Sequence, residues 1–254
     1  GDLSVNATAA LAGTQGMSIL IDDTRALYVT DDSPNAEPRY RARFKFDPNS
    51  LTLPNGKGHY IFYGYQGTNK LVLRLEFRIN KGVYQLRGAL RKDNNSWQSS
   101  SWVPITDAPH SVELDWQAAT ANGANNGSLT LWIDGTQTGQ LSGIDNDSER
   151  IDRIRLGAIA GIDAGSWGSY YFDGFASTRT TYIGPTSAVE NAENGISGID
   201  AHNNADQINN DNVVEDLNLD DVGIEDVGMA GGDEPVDDGN EQAKQQIFLP
   251  LISR

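Results

Sequence analysis

Charged and apolar residues alternate strictly between Arg39 and Phe46, and this alternation constrains the fold more than any other feature of the chain. Successive side chains of a β-strand point to opposite faces, whereas a helix needs apolar residues at spacings of three and four. The apolar members of the run therefore share one face, and the basic members share the other. Leu73–Arg78 repeats the pattern. Both segments are predicted to be strands with one buried face.

Turn signals separate these and further strand-like segments. Asp134-Gly135 directly follows such a segment, and Asp-Gly in that position is a strong hairpin signal. No long stretch with helical periodicity occurs. Many short strands at this spacing predict an all-β fold, a two-sheet antiparallel jelly-roll sandwich with a long extended acidic C-terminal tail. The further strands are predicted at Val83–Leu90, Ser111–Trp116, Ser128–Ile133, Ile151–Ala158 and Tyr170–Ser177.

Four motifs carry a resemblance to a known family. They are Pro109–Trp116, Gly127–Gly135, Ile154–Gly157 and Tyr171–Phe175. Their order and spacing resemble the LamG-like jelly roll of the concanavalin A-like lectin/glucanase superfamily, over roughly residues 3–184. The resemblance implies a binding or structural module of secreted bacterial proteins. We therefore expect an extracellular or bacterial cell-surface location.

The net charge of −16 is unevenly distributed along the chain. Residues 1–184 hold 17 Lys and Arg against 19 Asp and Glu, while residues 185–254 hold 2 against 16. The chain is therefore divided into a nearly neutral jelly-roll domain, 1–184, and an acidic docking tail, 185–254. Nucleic acids and anionic membranes repel a polyanion and are excluded as partners of the tail. No apolar run is long enough to predict a membrane span.

The tail carries apolar residues at regular positions. An imperfect five-residue repeat occupies residues 212–231, and the chain ends in an apolar segment, 246–252. Four short repeats are too few for an independent solenoid, so these side chains need an outside surface. The predicted tail anchors are Leu217, Leu219, Val222, Ile224, Val227, Ile247, Phe248, Leu249, Leu251 and Ile252.

Basic side chains at outward strand positions offer the tail a docking surface, because arginine–carboxylate pairs guide association. Docking within one copy would make the tail a latch. Docking between copies would create a heterologous contact that propagates into a filament or surface layer. The leading prediction is a non-enzymatic extracellular subunit whose partner is itself. The predicted docking residues are Arg39, Arg41, Arg43, Arg74, Arg78, Arg87, Arg153 and Arg155.

The alternative prediction is a carbohydrate-binding or adhesion module, with the tail as latch or linker. Sugar-binding sandwiches stack flat aromatic rings on sugar faces, although such rings also fill the cores of sandwiches. The candidate sugar-binding residues are Trp97, Trp102, Tyr63 and Tyr65, with Trp167 a further loop aromatic.

Enzymatic activity is predicted to be absent. Glucanases of the superfamily have three carboxylates on one strand, and Glu113 and Asp115 match the first two. Gln117 and Ala118 occupy the positions for the third, so the acid–nucleophile pair is incomplete. Glu113 and Asp115 are interpreted as residues of a solvated strand face.

Structural calcium is the one cofactor considered. The resemblance implies a ligand on the last strand, where Asp173 lies. Further oxygen atoms are offered by Asp22, Asp31, Asp145 and Asp147. The same residue types also form ordinary turns, so this alternative stays open. Acceptor patterns for glycosylation begin at Asn6, Asn94, Asn126 and Asn146.

Overall fold

The structure, a computed structural model, describes residues 1–185. This part of the chain forms β-strands and one short 3-10 turn, Ala7–Ala9. The strands are β1 (Leu3–Asn6), β2 (Gly16–Ile21), β3 (Leu27–Asp31), β4 (Arg39–Asp47), β5 (Gly58–Gln66), β6 (Lys70–Asn80), β7 (Val83–Arg91), β8 (Trp97–Ser99), β9 (Val103–Ile105), β10 (His110–Gln117), β11 (Gly127–Ile133), β12 (Thr136–Ile144), β13 (Arg153–Ala160) and β14 (Gly168–Thr178).

The strands form two antiparallel sheets. The first sheet has the order β1-β2-β14-β4-β10-β11-β12, and the second has the order β3-β13-β5-β6-β7-β8, with β9 also pairing with β7. Sequence-distant strands such as β4 and β14 are neighbours, as in a jelly roll. The predicted all-β jelly-roll sandwich is confirmed.

The alternation read from the sequence matches the two faces of the sheets. On β4, Tyr40, Phe44 and Phe46 are buried, while Arg39 and Lys45 belong to the opposite face. The predicted Asp134-Gly135 hairpin joins β11 to β12, and both of its residues have positive φ, at 52° and 77°. That combination is the turn in which Asp-Gly is favoured.

Aromatic side chains from both sheets form the centre of the core. Phe46 lies 5.0 Å from the Phe77 ring and 5.1 Å from the Phe172 ring, measured between centroids. Phe44 stacks on Phe62 across the sandwich at 6.0 Å. Burying an aromatic side chain of this size contributes about 1.5–3 kcal/mol. This aromatic layer fixes the spacing of the two sheets.

One polar contact joins the sheets inside the core. His59 of β5 is fully buried, and its Nε2 lies 3.1 Å from the hydroxyl oxygen of Tyr170 on β14. Burial lowers the pKa of His59 to about 4, since the charged imidazole loses its hydration. The folded protein therefore holds this histidine neutral at neutral pH.

We expect the stability of the fold to decrease as pH falls from 7 to 5, partly through His59. Its ordinary pKa is about 6.5, so the unfolded chain takes up a proton in this window that the folded chain does not. The stabilisation is complete above pH 6.5 and is lost toward pH 4. The expected decrease from this group is about 2 kcal/mol between pH 7 and pH 5.

Urea denaturation of the protein and of His59→Phe at both pH values measures this contribution. The variant is expected to lose about 2 kcal/mol less than the unaltered protein over the same interval, whatever its absolute stability. An identical decrease in both proteins would show that His59 does not titrate on unfolding.

No membrane-crossing helix occurs in the part of the chain that the structure describes.

Candidate functional site

The outer face of the second sheet combines arginine with aromatic side chains. Neighbouring strands bring these residues together, because every second residue of each strand points away from the core. We call this surface the arginine–aromatic face. Its members are Tyr28, Tyr60, Tyr63, Tyr65, Arg74, Arg78, Arg87, Trp97, Trp102, Arg153 and Arg155.

A cross-strand row runs through the middle of this face. Tyr63 of β5 is directly paired with Arg155 of β13 on one side and with Arg74 of β6 on the other. Directly paired residues of adjacent strands hold their side chains next to each other. The row continues to Thr30 beyond Arg155 and to Ala89 beyond Arg74, both with small side chains. Two arginines thus flank a central tyrosine.

The tyrosines form an apolar cluster separate from the main core. Tyr63 and Tyr65 are mostly buried and pack with Ile159, Tyr28 and Tyr60. Their rings meet at 5.7 Å between Tyr63 and Tyr65, in an edge-to-face arrangement. Burial raises the pKa of both the Tyr63 and Tyr65 hydroxyls, so they remain protonated at neutral pH. They can donate and accept hydrogen bonds to a polar ligand.

The two tryptophans lie against arginine side chains. The Arg74 guanidinium is 4.2 Å from the centre of the Trp97 ring. Arg78 and Arg87 lie 3.7 and 4.2 Å from the Trp102 ring. Stacked cations hold these half-buried rings and the guanidinium groups in fixed relative positions. The face is therefore ordered before any ligand arrives.

Only some of the arginines on this face have a carboxylate partner. Arg87 pairs with Glu76 at 2.6 Å, and Arg153 pairs with Asp32. Arg74 makes no hydrogen bond or ion pair with a described residue, and its contacts are with aromatic rings. Among the described residues, Arg155 donates a hydrogen bond only to the Tyr65 hydroxyl, at 3.4 Å. The centre of the face thus carries positive charge uncompensated within residues 1–185.

The outer face of the first sheet holds a largely buried charge network. Glu113 of β10 is 2% exposed and accepts hydrogen bonds from the backbone N–H groups of Ile183 and Gly184, at 3.1 and 2.9 Å. Arg41 donates to Glu113 at 3.3 Å. Residues 181–184, which we call the strap, therefore cover this carboxylate. The sequence-based interpretation of Glu113 as a solvated residue is wrong for this reason.

Asp115 is the second carboxylate of this network. It accepts hydrogen bonds from both Arg39 and Arg41. Burial pushes its pKa upward, but the hydrogen bonds and charges of the two arginines outweigh burial and lower it. Asp115 is therefore an ionised partner of arginines.

The structure divides the predicted docking residues between opposite faces of the sandwich. Arg74, Arg78, Arg87, Arg153 and Arg155 lie together on the arginine–aromatic face. Arg39, Arg41 and Arg43 lie on the first sheet, where Arg39 and Arg41 are paired with acids and Arg43 donates to the carbonyl groups of Gly174 and Gly184. Arg41 is only 5% exposed. The eight arginines are therefore not one continuous basic surface.

The predicted sugar-binding residues are brought together in part. Trp97, Trp102, Tyr63 and Tyr65 share the arginine–aromatic face, as described above. Trp167 is 67% exposed but lies in the segment before β14, where its backbone pairs with Thr52. Tyr60 was missed by the sequence analysis because a β-bulge between Tyr60 and Phe62 breaks the alternation and returns Tyr60 to the face of Tyr63.

The predicted calcium ligands have other described roles. Both carboxylate oxygens of Asp173 accept backbone N–H groups, from Leu11, Ala12 and Gly174. Asp31 caps the N–H of Ser33, and Asp22 is exposed. Asp145 and Asp147, the further candidates, do cluster, because their carboxylate oxygens lie within 4.8 Å of one another and of Asp93, which the sequence did not single out. Calcium binding stays a prediction.

The glycosylation candidates differ in access. Asn146 is 0% exposed, and its amide bonds the backbone of Gln117 and Ala119, so the folded domain cannot present it. Asn94 and Asn126 are exposed, and Asn6 caps the 3-10 turn. The predicted tail anchors, from Leu217 to Ile252, lie outside the described residues.

No protein-family model and no curated protein matches the sequence. Solved structures match it by fold. A family 18 polysaccharide lyase shows 10% identity and a TM-score of 0.44, with 71% of this chain and 95% of that chain covered. An alginate lyase shows 10% identity and a TM-score of 0.47 over 68% and 85% of the two chains. A cellulose-induced protein shows 14% identity and a TM-score of 0.49 over 72% and 88%.

These similarities agree with the jelly-roll architecture but do not single out its LamG-like group. They also correct one prediction. Two of these three proteins are lyases by name, so enzymes are among the proteins that share this fold. The prediction that enzymatic activity is absent is corrected accordingly, since the fold does not exclude an enzyme and an incomplete glucanase strand excludes only the glucanase mechanism.

Proposed function

We propose that residues 1–185 form a carbohydrate-binding domain whose ligand lies across the arginine–aromatic face. The proposal is supported by one observation, that four tyrosines and two tryptophans lie with five arginines on one outer sheet face. Aromatic rings give apolar contact area for sugar faces, while tyrosine hydroxyl and guanidinium groups hydrogen-bond sugar oxygens. An outer sheet face that served only solubility would not need this concentration of aromatic side chains.

An extracellular or cell-surface location is part of this proposal, since that is where polysaccharides are presented. The strap supports a latch role for the first residues after β14. Two of its backbone N–H groups bind Glu113 on the sheet opposite the arginine–aromatic face. Assembly of copies through residues 185–254 stays a separate prediction.

Replacing Trp97 by Ala is expected to weaken polysaccharide binding by about tenfold or more, because it removes an aromatic platform and frees Arg74. The measurement is affinity electrophoresis of the full chain through gels containing a panel of soluble polysaccharides. The matched control is Trp167→Ala, which removes the same side chain from a loop outside the second sheet. The full chain is also incubated with the same polysaccharides in solution, and an assay for new reducing ends would reveal cleavage.

Unaltered mobility in every polysaccharide would overturn the proposal. Equal retardation of the protein and the Trp97→Ala variant would place the binding surface elsewhere. Thermal unfolding of both variants checks that a lost interaction is not a lost fold.

A further inference from the structure

We infer that the ligand of the arginine–aromatic face is an acidic polysaccharide, one whose sugars carry carboxylate or sulfate groups, held by Arg155 and Arg74 on either side of Tyr63. This inference rests on the proposed function and adds the chemical class of the ligand and the residues that select it.

The charge of the arginine–aromatic face favours an acidic ligand. The whole chain has a net charge of −16, yet the arginine–aromatic face concentrates positive charge. Five arginines share it, and the carboxylates of Glu76 and Asp32 each neutralise one of them. Arg74, Arg78 and Arg155 have no carboxylate partner among the described residues. Partly buried cations lose hydration without compensation, so an anion that reaches them is bound favourably.

The guanidinium groups of Arg155 and Arg74 are held in place by aromatic rings. The Arg155 guanidinium lies 4.4 Å from the ring centre of Tyr28 and 5.1 Å from that of Tyr65. The Arg74 guanidinium lies 5.1 Å from Tyr60 and 4.2 Å from Trp97. Each guanidinium is thus held by two rings, and less side-chain freedom is lost on binding. A planar guanidinium held in place suits the two oxygens of a carboxylate or sulfate.

The Nε atoms of Arg74 and Arg155 are buried. Neither atom has a hydrogen-bond partner among the described residues. A paired arginine on the same face, Arg87, instead gives its Nε to Glu76 at 3.2 Å. The Nε of Arg91, at the end of β7, is in the same state, but its other guanidinium nitrogens donate to Leu71 and Asn95. Arg74 makes no hydrogen bond to a described residue and Arg155 makes one, so the shortage of acceptors is greatest beside Tyr63.

The distance between Arg155 and Arg74 indicates how far apart the acidic groups of the ligand lie. Arg155 and Arg74 are separated by two strand spacings, roughly 9.5 Å, because Tyr63 lies between them. A distance of this order fits acidic groups on nearby sugars of an extended chain, with an intervening sugar that hydrogen-bonds the hydroxyl of the mostly buried Tyr63. Thr30 and Ala89 continue the row with small side chains and leave room for the chain to extend. A neutral polysaccharide would leave both guanidinium groups unpaired.

The test compares matched neutral and acidic ligands. Isothermal titration of the full chain is performed with oligogalactose, with oligogalacturonate of the same length and with a sulfated oligogalactose. The acidic ligands are expected to bind at least tenfold more tightly than the neutral one, and raised salt is expected to weaken their binding. Arg74→Met and Arg155→Met should each remove about tenfold or more of the acidic affinity. Arg25→Met, an exposed arginine in the loop before β3, should not.

The outcomes separate the two proposals. Equal affinity for neutral and acidic ligands, with Trp97→Ala reducing both, would overturn the acidic selectivity and leave the carbohydrate-binding function. Failure of the chain to bind any carbohydrate would overturn both. A preference for only one acidic ligand identifies carboxylate or sulfate and supports the inference.

The acidic C-terminal region offers a competing occupant. A full-length variant with Glu215, Asp216, Asp220, Asp221, Glu225 and Asp226 changed to their amides tests it. Equal affinity for oligogalacturonate in this variant and in the unaltered chain supports a polysaccharide as the occupant of the face. Uronate binding that arises only in the variant would assign the face to the chain's own acidic segment and overturn the inference.

Discussion

Replacing Glu113 by Ala is expected to lower the free energy of unfolding by about 3 kcal/mol. The substitution removes the acceptor of two strap N–H groups and one of the two carboxylate partners of the buried Arg41. A buried cation with fewer anionic partners is destabilising, and in the variant Arg41 keeps Asp115 as its one described carboxylate partner. Urea denaturation measures the change.

A second readout of this variant reports on the strap itself. Residues 181–184 lose their anchor, so trypsin is expected to cleave after Arg179 faster than in the unaltered protein. Glu113→Gln keeps one acceptor oxygen and should lose less stability. Asp23→Ala, which breaks an exposed ion pair with Arg25, is the control and should cost no more than about 1 kcal/mol.

The double variant Arg41→Met, Glu113→Leu distinguishes the interaction between the two side chains from the effect of shortening each one alone. Because the two residues share one network, it should cost less than the two single variants together, by about 0.5–3 kcal/mol. Strictly additive costs would show that Arg41 and Glu113 are not coupled. Unchanged cleavage after Arg179 in Glu113→Ala would show that the strap is not held by this carboxylate.

Phe46→Ala is expected to destabilise the domain by about 3–5 kcal/mol. Phe46 is fully buried and lies against rings from both sheets, including Phe77, Tyr170 and Phe172. Its removal leaves a cavity whose walls are anchored in different strands, so the surroundings can collapse only in part. Thermal and urea unfolding measure the loss.

Matched variants define what the aromatic ring contributes. Phe46→Leu keeps most of the apolar volume and should cost about 1.5 kcal/mol or less. Val5→Ala removes apolar atoms from a residue that is 47% exposed and should change stability by about 0.5 kcal/mol or less. A cost for Phe46→Ala as small as that of Val5→Ala would place the centre of the core elsewhere.

The strands and their faces could be predicted from the sequence because they depend on local alternation. Leu73–Arg78 shows this, since its apolar residues lie in the core and its arginines lie outside. Where a bulge interrupts β5, alternation failed, and Tyr60 was not assigned to the face it shares with Tyr63. Bulges are set by the pairing of neighbouring strands, which residue order does not specify.

The sequence by itself determined the all-β architecture, the hairpin at Asp134-Gly135 and the separation of charge between the two parts of the chain, because each follows from short-range pattern or composition. Only the tertiary structure decided which arginines act together. Strand order places Arg74 and Arg155 on either side of Tyr63, and it places Arg41 under the strap beside Glu113. All three arginines have the same outward position within their strands, so local pattern cannot distinguish them. Their environments differ because each sheet pairs them with different neighbours.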